Sequence, residues 1–239
     1  MLQKILSHVR RCCEDYEMIK PGDRVAVGVS GGKDSLVLLS ALAAMRRFYP
    51  VPYEVEAVTI DPGIDGMDFT PVSRLCETLG VPHTVVKTRL KEIIFDIRRE
   101  SNPCSLCAKM RRGALHDAAL ARDCRVIALG HNRDDAVETL LLSEIYEGRI
   151  SCFLPVTYLD RKDVTVIRPM MYAPEKLVRA CARSMALPVV ENPCPANGNT
   201  KRQYVKELLR TLDRESPGLE ERLFGAMQRL PLEGWAKQR

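Results

Sequence analysis

Val25-Ala-Val-Gly-Val29, followed at once by Ser30-Gly-Gly-Lys-Asp-Ser35, is the stretch on which the fold turns. Its first five residues read as a buried strand, an apolar run ended by Gly/Ser punctuation. Leu36-Val-Leu-Leu-Ser-Ala-Leu-Ala-Ala-Met45 then reads as a helix reaching about Phe48. Ser30 to Ser35 is therefore a strand-to-helix turn. Gly31 and Gly32 let the backbone bend sharply and admit a ligand close to the main chain. The N–H groups that open the following helix have no intrahelical partner and lie at its positive dipole end. Together these features make an anion site, most naturally for phosphate. Lys33 adds a point charge, Asp34 is placed to hold a metal ion against the phosphates, and Ser30 and Ser35 supply hydroxyls. The spacing is not that of the common P-loop, which puts four residues between its first glycine and Gly-Lys-Ser/Thr. Gly28 is one residue too close, and Asp34 follows the lysine.

Working outward, strands and helices alternate. Residues 1–19 predict an amphipathic helix stopped by Pro21-Gly22. Strands are expected at Tyr53–Ile60, His83–Lys87, Arg125–Leu129, Val164–Ile167 and Leu187–Val190. Helices are expected at Asp68–Leu79, Lys91–Arg99, Ala108–Arg122, Ala136–Tyr146, Pro174–Met185, Thr200–Leu212 and Leu219–Leu230. Ser101–Cys107 and Glu191–Gly198 read as irregular loops. Strands separated by helices of about ten to fifteen residues give a doubly wound parallel α/β sheet. Such sheets bind ligands at the carboxyl ends of their strands, near the switch in strand order. The Ser30 turn, Asp61 and Gly130-His-Asn-Arg-Asp-Asp135 all fall at such ends. In the last of these, Asp134 and Asp135 are candidates for helix N-cap and for a metal or ribose contact. There is no internal repeat and no low-complexity linker. The expectation is a single domain over 1–239, with the helix 1–19 and a helical extension 213–239 as appendages.

The apolar fraction of 46% is ordinary for a soluble chain, and no run reaches the eighteen or so apolar residues of a membrane span. The N-terminus has charges throughout and no apolar signal-peptide centre, so a cytoplasmic protein is expected. A net charge of +5, spread as pairs such as Arg98-Arg99 and Arg111-Arg112, permits a polyanionic partner without requiring one. Nine cysteines in a reducing compartment are not a disulfide framework. Six of them (Cys12, Cys13, Cys76, Cys124, Cys152 and Cys181) sit in or beside predicted elements and read as small packing residues.

The other three differ. Cys104-Ser-Leu-Cys107 is a CxxC without the thioredoxin-like context of a redox site. It also lacks the second CxxC of paired zinc knuckles. Asn102-Pro-Cys104 and Asn192-Pro-Cys194 repeat one tripeptide in two loops, which brings Cys194 into the set. Three thiolates suit an iron–sulfur cube with one iron left open. On residues alone zinc and iron–sulfur divide about evenly, since both take thiolates.

Ser30-Gly-Gly-Lys-Asp-Ser35 looks like the PP-loop of the ATP pyrophosphatases, a HUP-like fold. With Cys104-Ser-Leu-Cys107, Arg111-Arg-Gly113, Gly130-His-Asn-Arg-Asp-Asp-Ala-Val-Glu-Thr139 and Cys194, the chain from Lys20 to Lys206 resembles the tRNA 2-thiocytidine synthetase family. Cys194 is followed by Pro195-Ala-Asn197, where that family carries a further cysteine. The resemblance implies ATP, Mg2+ and a [4Fe-4S] cluster. It implies adenylation of a cytidine in the tRNA anticodon loop, then sulfur transfer. Cys104, Cys107 and Cys194 would ligate the cluster. Gly28, Ser30, Gly31, Gly32, Lys33, Asp34, Ser35, Asp61, Gly130 and Asp135 would contact ATP, with Asp34 and Asp135 the magnesium candidates. Lys33, Asp34 and the three cysteines would carry the chemistry. Implied partners are tRNA, a sulfur donor (a cysteine desulfurase or sulfide) and a second copy in a homodimer, with no membrane. The helix Ala108–Arg122, Arg98-Arg99 and the terminal helices are expected to meet tRNA. A cysteine persulfide carrier is the alternative sulfur chemistry. The rival functions are lysidine or thiouridine formation by another PP-loop enzyme, and a zinc-stabilised nucleotide-binding module without catalysis.

Overall fold

The structure, a computed structural model, describes residues 1–98, 103–191, 193–194 and 201–229, apart from the side chain of Cys104. Helix α1 (Leu2–Asp15) leads into β1 (Arg24–Gly28), α2 (Lys33–Met45), β2 (Glu54–Asp61), α3 (Thr70–Thr78) and β3 (His83–Lys87). After a π-helical turn at Glu92–Ile97 come α4 (Pro103–Leu120), β4 (Val126–Ala128), α5 (Arg133–Glu147), β5 (Val156–Leu159) and β6 (Val164–Ile167). Helices α6 (Glu175–Ser184), α7 (Lys201–Glu215) and α8 (Leu219–Arg229) follow.

The six strands form one sheet in the order β3-β2-β1-β4-β6-β5, parallel except for β5. The chain winds outward from β1 to β3, then returns to place β4 on the other side of β1. The β1/β4 boundary is therefore the switch in strand order. The pleat sorts β1 between two cores. Val25 and Val27 join the larger cluster, whereas Ala26 joins a smaller one with Val58, Ile127, Leu115 and Ala119. Helix α4 covers the smaller face. The larger cluster takes residues from α1, α2, α3, α5 and α6, and also Val205 and Leu209 of α7 and Phe224 and Met227 of α8. The terminal helices thus bury their apolar stripes in the same core as the first strand.

The expected α/β sheet is present, with five local differences. Helix α2 begins at Lys33, three residues before Leu36, so the loop is shorter and its lysine already helical. Helix α4 begins at Pro103 and absorbs the CxxC. Proline suits a first helical position, where its missing N–H would have no partner and its φ is already helical. Leu187–Val190 is not a strand, because the Val190 N–H donates to the Gly31 carbonyl at 3.0 Å and not to a neighbouring strand. Val156–Leu159, to which the sequence reading assigns no element, is the antiparallel edge strand β5, paired from Val156↔Ile167 to Leu159↔Val164. In place of the helix expected at Lys91–Arg99 is the π-helical turn, in which the Arg98 N–H reaches back five residues to Ile93. Arg99, the Ser101-Asn102 part of the first predicted loop and most of the 191–198 loop lie outside the described residues.

Candidate active site

Ser30 to Gly32 carries the chain from β1 into α2, with Gly32 as the N-cap residue. Two hydroxyls tie this turn together. The Ser30 N–H donates to Ser35 Oγ at 3.2 Å, Ser35 Oγ donates to the Gly32 carbonyl at 2.9 Å, and the two hydroxyls stand 3.3 Å apart. Gly31 has φ of +81°, a left-handed conformation that favours glycine, and a Cβ there would meet Val190 Cβ at 2.8 Å. The turn is preorganised, with the N–H groups of the first turn of α2 facing the sheet's carboxyl edge.

The second turn abuts it from the end of β4. A Cβ on Gly130 would lie 3.0 Å from backbone atoms of Asp34 and Ser35, so only glycine lets the two turns come this close. Asn132 caps α5, and this differs from the expectation for Asp134 and Asp135. Its side-chain oxygen accepts from the N–H groups of Asp134 and Asp135 at 3.0 and 3.2 Å, while Asp135 Oδ2 accepts from the Asn132 N–H at 2.9 Å. The other end of the same amide crosses between the turns, Asn132 Nδ2 donating to Asp34 Oδ1 at 3.2 Å. Burial, with Asp34 and Glu138 close by, pushes the Asp135 carboxyl up to about 6. Asn132 thus links the Asp34 and Asp135 carboxylates at the switch in strand order, and carboxylates are donors that a hard divalent cation takes.

Lys33 is held by two carboxylates. Its Nζ lies 2.9 Å from Asp34 Oδ2 and 3.0 Å from Glu175 Oε1. Glu175 opens α6 and donates its own N–H to Asp134 Oδ2 at 2.8 Å. From there an ion-pair chain runs into α7: Lys206 reaches Glu175 at 2.6 Å and Glu138 at 3.8 Å, and Arg202 reaches Glu138 at 3.1 Å and Asp135 at 3.9 Å. Behind it, α5, α6, α7 and α8 enclose a cavity of about 580 Å3 lined by Asp134, Glu175, Lys206 and Glu220. Two of the predicted residues serve packing and turn geometry. Gly28 makes room for Leu115 of α4, whose Cδ2 a Cβ would meet at 2.8 Å. Asp61 ends β2 at the carboxyl edge and accepts from the Gly63 N–H at 2.9 Å.

A family model described as a PP-loop domain matches residues 1–212. The chain belongs to the PP-loop family. Within it, the chain falls among the tRNA-cytidine(32) 2-sulfurtransferases. The protein so named from Geobacter metallireducens is 40% identical over 94% of this chain and 89% of its own. The one from Teredinibacter turnerae is 39% identical over 96% of this chain and 77% of its own. Among solved structures, the U34-tRNA thiolase NcsA from Methanococcus maripaludis, with its [4Fe-4S] cluster, shares the fold. It aligns at a TM-score of 0.77 and 24% identity, over 100% of this chain and 85% of that one. The NH3-dependent NAD synthetase from Campylobacter jejuni shares the fold more distantly, at a TM-score of 0.51 and 19% identity over 100% and 98%.

In this PP-loop chain the cysteines divide as their surroundings dictate. Cys12, Cys13, Cys76, Cys124 and Cys181 are buried, and burial raises the thiols of Cys13, Cys76, Cys124 and Cys181. Burial likewise lifts Cys152 to about 12, so these sulfurs are inert. Cys104 and Cys107 occupy positions i and i+3 at the start of α4, on one helix face. Helix α4 runs antiparallel to the strands, with Leu115 beside Gly28 at the end of β1 and Arg122 reaching Glu56 near the start of β2, so its first turn lies on the carboxyl side of the sheet. Cys107 and Cys194 are both partly buried, and Cys194 follows four residues after Val190, which is bonded to the PP-loop. His83 is a structural residue between Thr59 and Ser73 hydroxyls at 2.9 and 3.0 Å.

Sequence reasoning missed Asn132, Glu175, Arg202 and Lys206. Asn132 had a local signal, an Asn three residues before an Asp at a helix start. The others act through pairings tens of residues apart, for which one sequence carries none.

Proposed function

We propose that this chain thiolates a cytidine in the tRNA anticodon loop, using ATP to activate the base and sulfide to replace its oxygen. The observation that carries this reading is the junction of the two turns, where Asn132 bridges to Asp34 beside Lys33. The kinship with tRNA-cytidine(32) 2-sulfurtransferases supports the choice of base. The PP-loop N–H groups and the Ser30 and Ser35 hydroxyls take the ATP phosphates, and Asp34 with Asp135 holds Mg2+. Lys33, exchanging a carboxylate for phosphate, balances the charge that builds up as the base oxygen attacks the α-phosphorus and pyrophosphate leaves. Sulfur then adds at the base carbon and AMP departs with the former oxygen.

The donor set at the rim fits a [4Fe-4S] cluster. Two thiols open a helix, whose N-terminal N–H groups favour thiolate, and a third comes from the segment tied to the PP-loop. Cys104, Cys107 and Cys194 would hold it. Held by these three thiolates, a cluster would supply an iron site for sulfide. The same residues support a sulfur donor that is sulfide itself or a cysteine desulfurase, and a cytoplasmic site of action, where tRNA and reduced thiols are found. Family kinship supports a homodimer and a single catalytic domain with helical extensions. No helix among the described residues is long and apolar enough to cross a membrane.

The test is protein purified without oxygen, assayed with ATP, Mg2+, sulfide and unmodified tRNA. Four irons per chain, one AMP per modified base and 2-thiocytidine by mass spectrometry are expected. Zinc in place of iron with no AMP, or lysidine or thiouridine as product, would overturn the reading.

A further inference from the structure

One group of side chains near the candidate active site remains unexplained. It gathers where β4 and β6 end, one strand over from the PP-loop. His131 follows β4, Arg168 follows β6 and Phe153 precedes β5, and the charge of Arg112 on α4 bears on both His131 and Arg168. The His131 ring stacks on Phe153 with centroids 4.6 Å apart and planes 30° apart, and the Arg168 guanidinium lies 5.0 Å from the same ring centroid. Arg168 Nη1 donates to the Leu154 carbonyl at 2.5 Å and to Thr157 Oγ1 at 3.3 Å.

The group has two unmet needs. Arg168 is 9% exposed, yet among the described residues no carboxylate pairs with it, and none pairs with Arg112, whose Nε donates only to the Ala108 carbonyl at 3.3 Å. A buried guanidinium without a counter-ion is costly. In addition, Arg168 Nε and His131 Nδ1 are both buried without a hydrogen-bond partner, and native proteins rarely leave such atoms so. The local potential is positive: burial, then the charges of Arg168, Arg202 and Arg112, push His131 down to about 3, so its ring is neutral. A cation is excluded there. A neutral imidazole N–H beside guanidinium donors suits an oxyanion, and arginine forks match phosphate oxygens best.

We propose that Arg112, His131 and Arg168 form a second anion site that takes a phosphate group, and that this is a backbone phosphate of the tRNA beside the target base. The identity of the RNA rests on the functional reading above; the anion site does not. The PP-loop already serves the ATP phosphates, and Arg112 is exposed on α4, so the site is reachable from the surface that a polyanion would cover. The phosphate chemistry is shared with the pyrophosphate released in the reaction, and the experiment separates the two sources.

Arg112→Gln changes an exposed helix position and leaves folding intact; Arg168→Lys keeps the charge but loses the fork, and its fold is checked by circular dichroism. Equilibrium binding of unmodified tRNA is measured from about 50 to 300 mM salt, ATP binding by calorimetry, and pyrophosphate by competition with ATP. For Arg112→Gln the expected result is tRNA affinity about tenfold weaker and a salt slope shallower by about 0.7 to 1, with ATP affinity unchanged. Unchanged tRNA binding with weakened pyrophosphate competition would overturn the RNA assignment and keep the anion site. No change in tRNA affinity, salt slope or pyrophosphate competition would overturn the site itself. A wild-type protein that binds ATP but not tRNA would instead count against the functional reading.

Discussion

Glu175→Gln is the most informative single change at the PP-loop, because one carboxylate there serves three cations. Lys206, Lys33 and Arg179 approach Glu175 at 2.6, 3.0 and 3.0 Å, and its side chain is only 12% exposed. Burial opposes its charge, yet these pairs outweigh burial and hold its carboxyl down at about 2, against an ordinary 4.5. A shift of that size is worth about 3 kcal/mol at neutral pH, and solvent at the edge of the network lowers this to about 2 kcal/mol. The group's folded pKa is depressed, so its contribution is complete above the unfolded value near 4.5 and is lost as pH falls through the folded value near 2. Glutamine mimics the protonated acid. Urea unfolding at pH 7 should therefore find Glu175→Gln about 2 kcal/mol less stable than wild type, seen as a lower midpoint at unchanged slope. The gap should hold down to about pH 5 and fall by roughly half near pH 3.5. A gap below about 0.5 kcal/mol at pH 7, or one that does not shrink in acid, would refute the claim that this carboxylate is the hub of the network.

Two further changes test the junction between the turns. Asn132→Ala removes the cap of α5 and the bridge to Asp34 together, and should cost about 1 to 3 kcal/mol in urea unfolding and weaken ATP about tenfold. Gly130→Ala puts a methyl 3.0 Å from PP-loop backbone, which must give by a few tenths of an ångström, and should weaken ATP binding by about tenfold or more. Gly28→Ala crowds the flexible ends of two side chains, Leu115 at 2.8 Å and Leu129 at 3.2 Å, and should bind ATP within a few-fold of wild type, both read by calorimetry.

Much of this could be read along the chain because the information is local. A strand, two glycines, a lysine and a helix occupy about twenty consecutive residues, and alternating elements imply the sheet and its carboxyl rim. Legibility ended where a residue answers to a distant partner. Ser101–Cys107 reads as loop, although its proline favours a helix start as much as a helix end, so the CxxC lies inside α4 and not before it. Leu187–Val190 has strand composition, but its hydrogen bond goes to Gly31, more than 150 residues earlier in the chain. Glu175 looked like an ordinary first-turn acid, and only the fold brings Lys33 and Lys206 to it.

That misread Val190 bond has a consequence for how nucleotide and thiolates are joined. Residues 191–200 connect two anchors: Val190 on the Gly31 carbonyl at one end, and Arg202 on Glu138 and near Asp135 at the other. Cys194, proposed above as the third cluster ligand, lies between them in the chain, so its position should depend on both turns. Gly31→Ala should then do two things at once. Its φ of +81° disfavours alanine, and the new Cβ would sit 2.8 Å from Val190 Cβ, driving the Cys194 segment away from the PP-loop. Gly32→Ala is the control, since its φ is −75° and its Cβ would meet only Ser30 Oγ at 3.5 Å. Both variants should bind ATP more weakly, because each crowds the phosphate approach. Only Gly31→Ala should also lose iron, retaining less than half the wild-type content after anaerobic purification. Equal iron in the two variants would mean that Cys194 is positioned independently of the PP-loop, and the two anchors would then be packing contacts only.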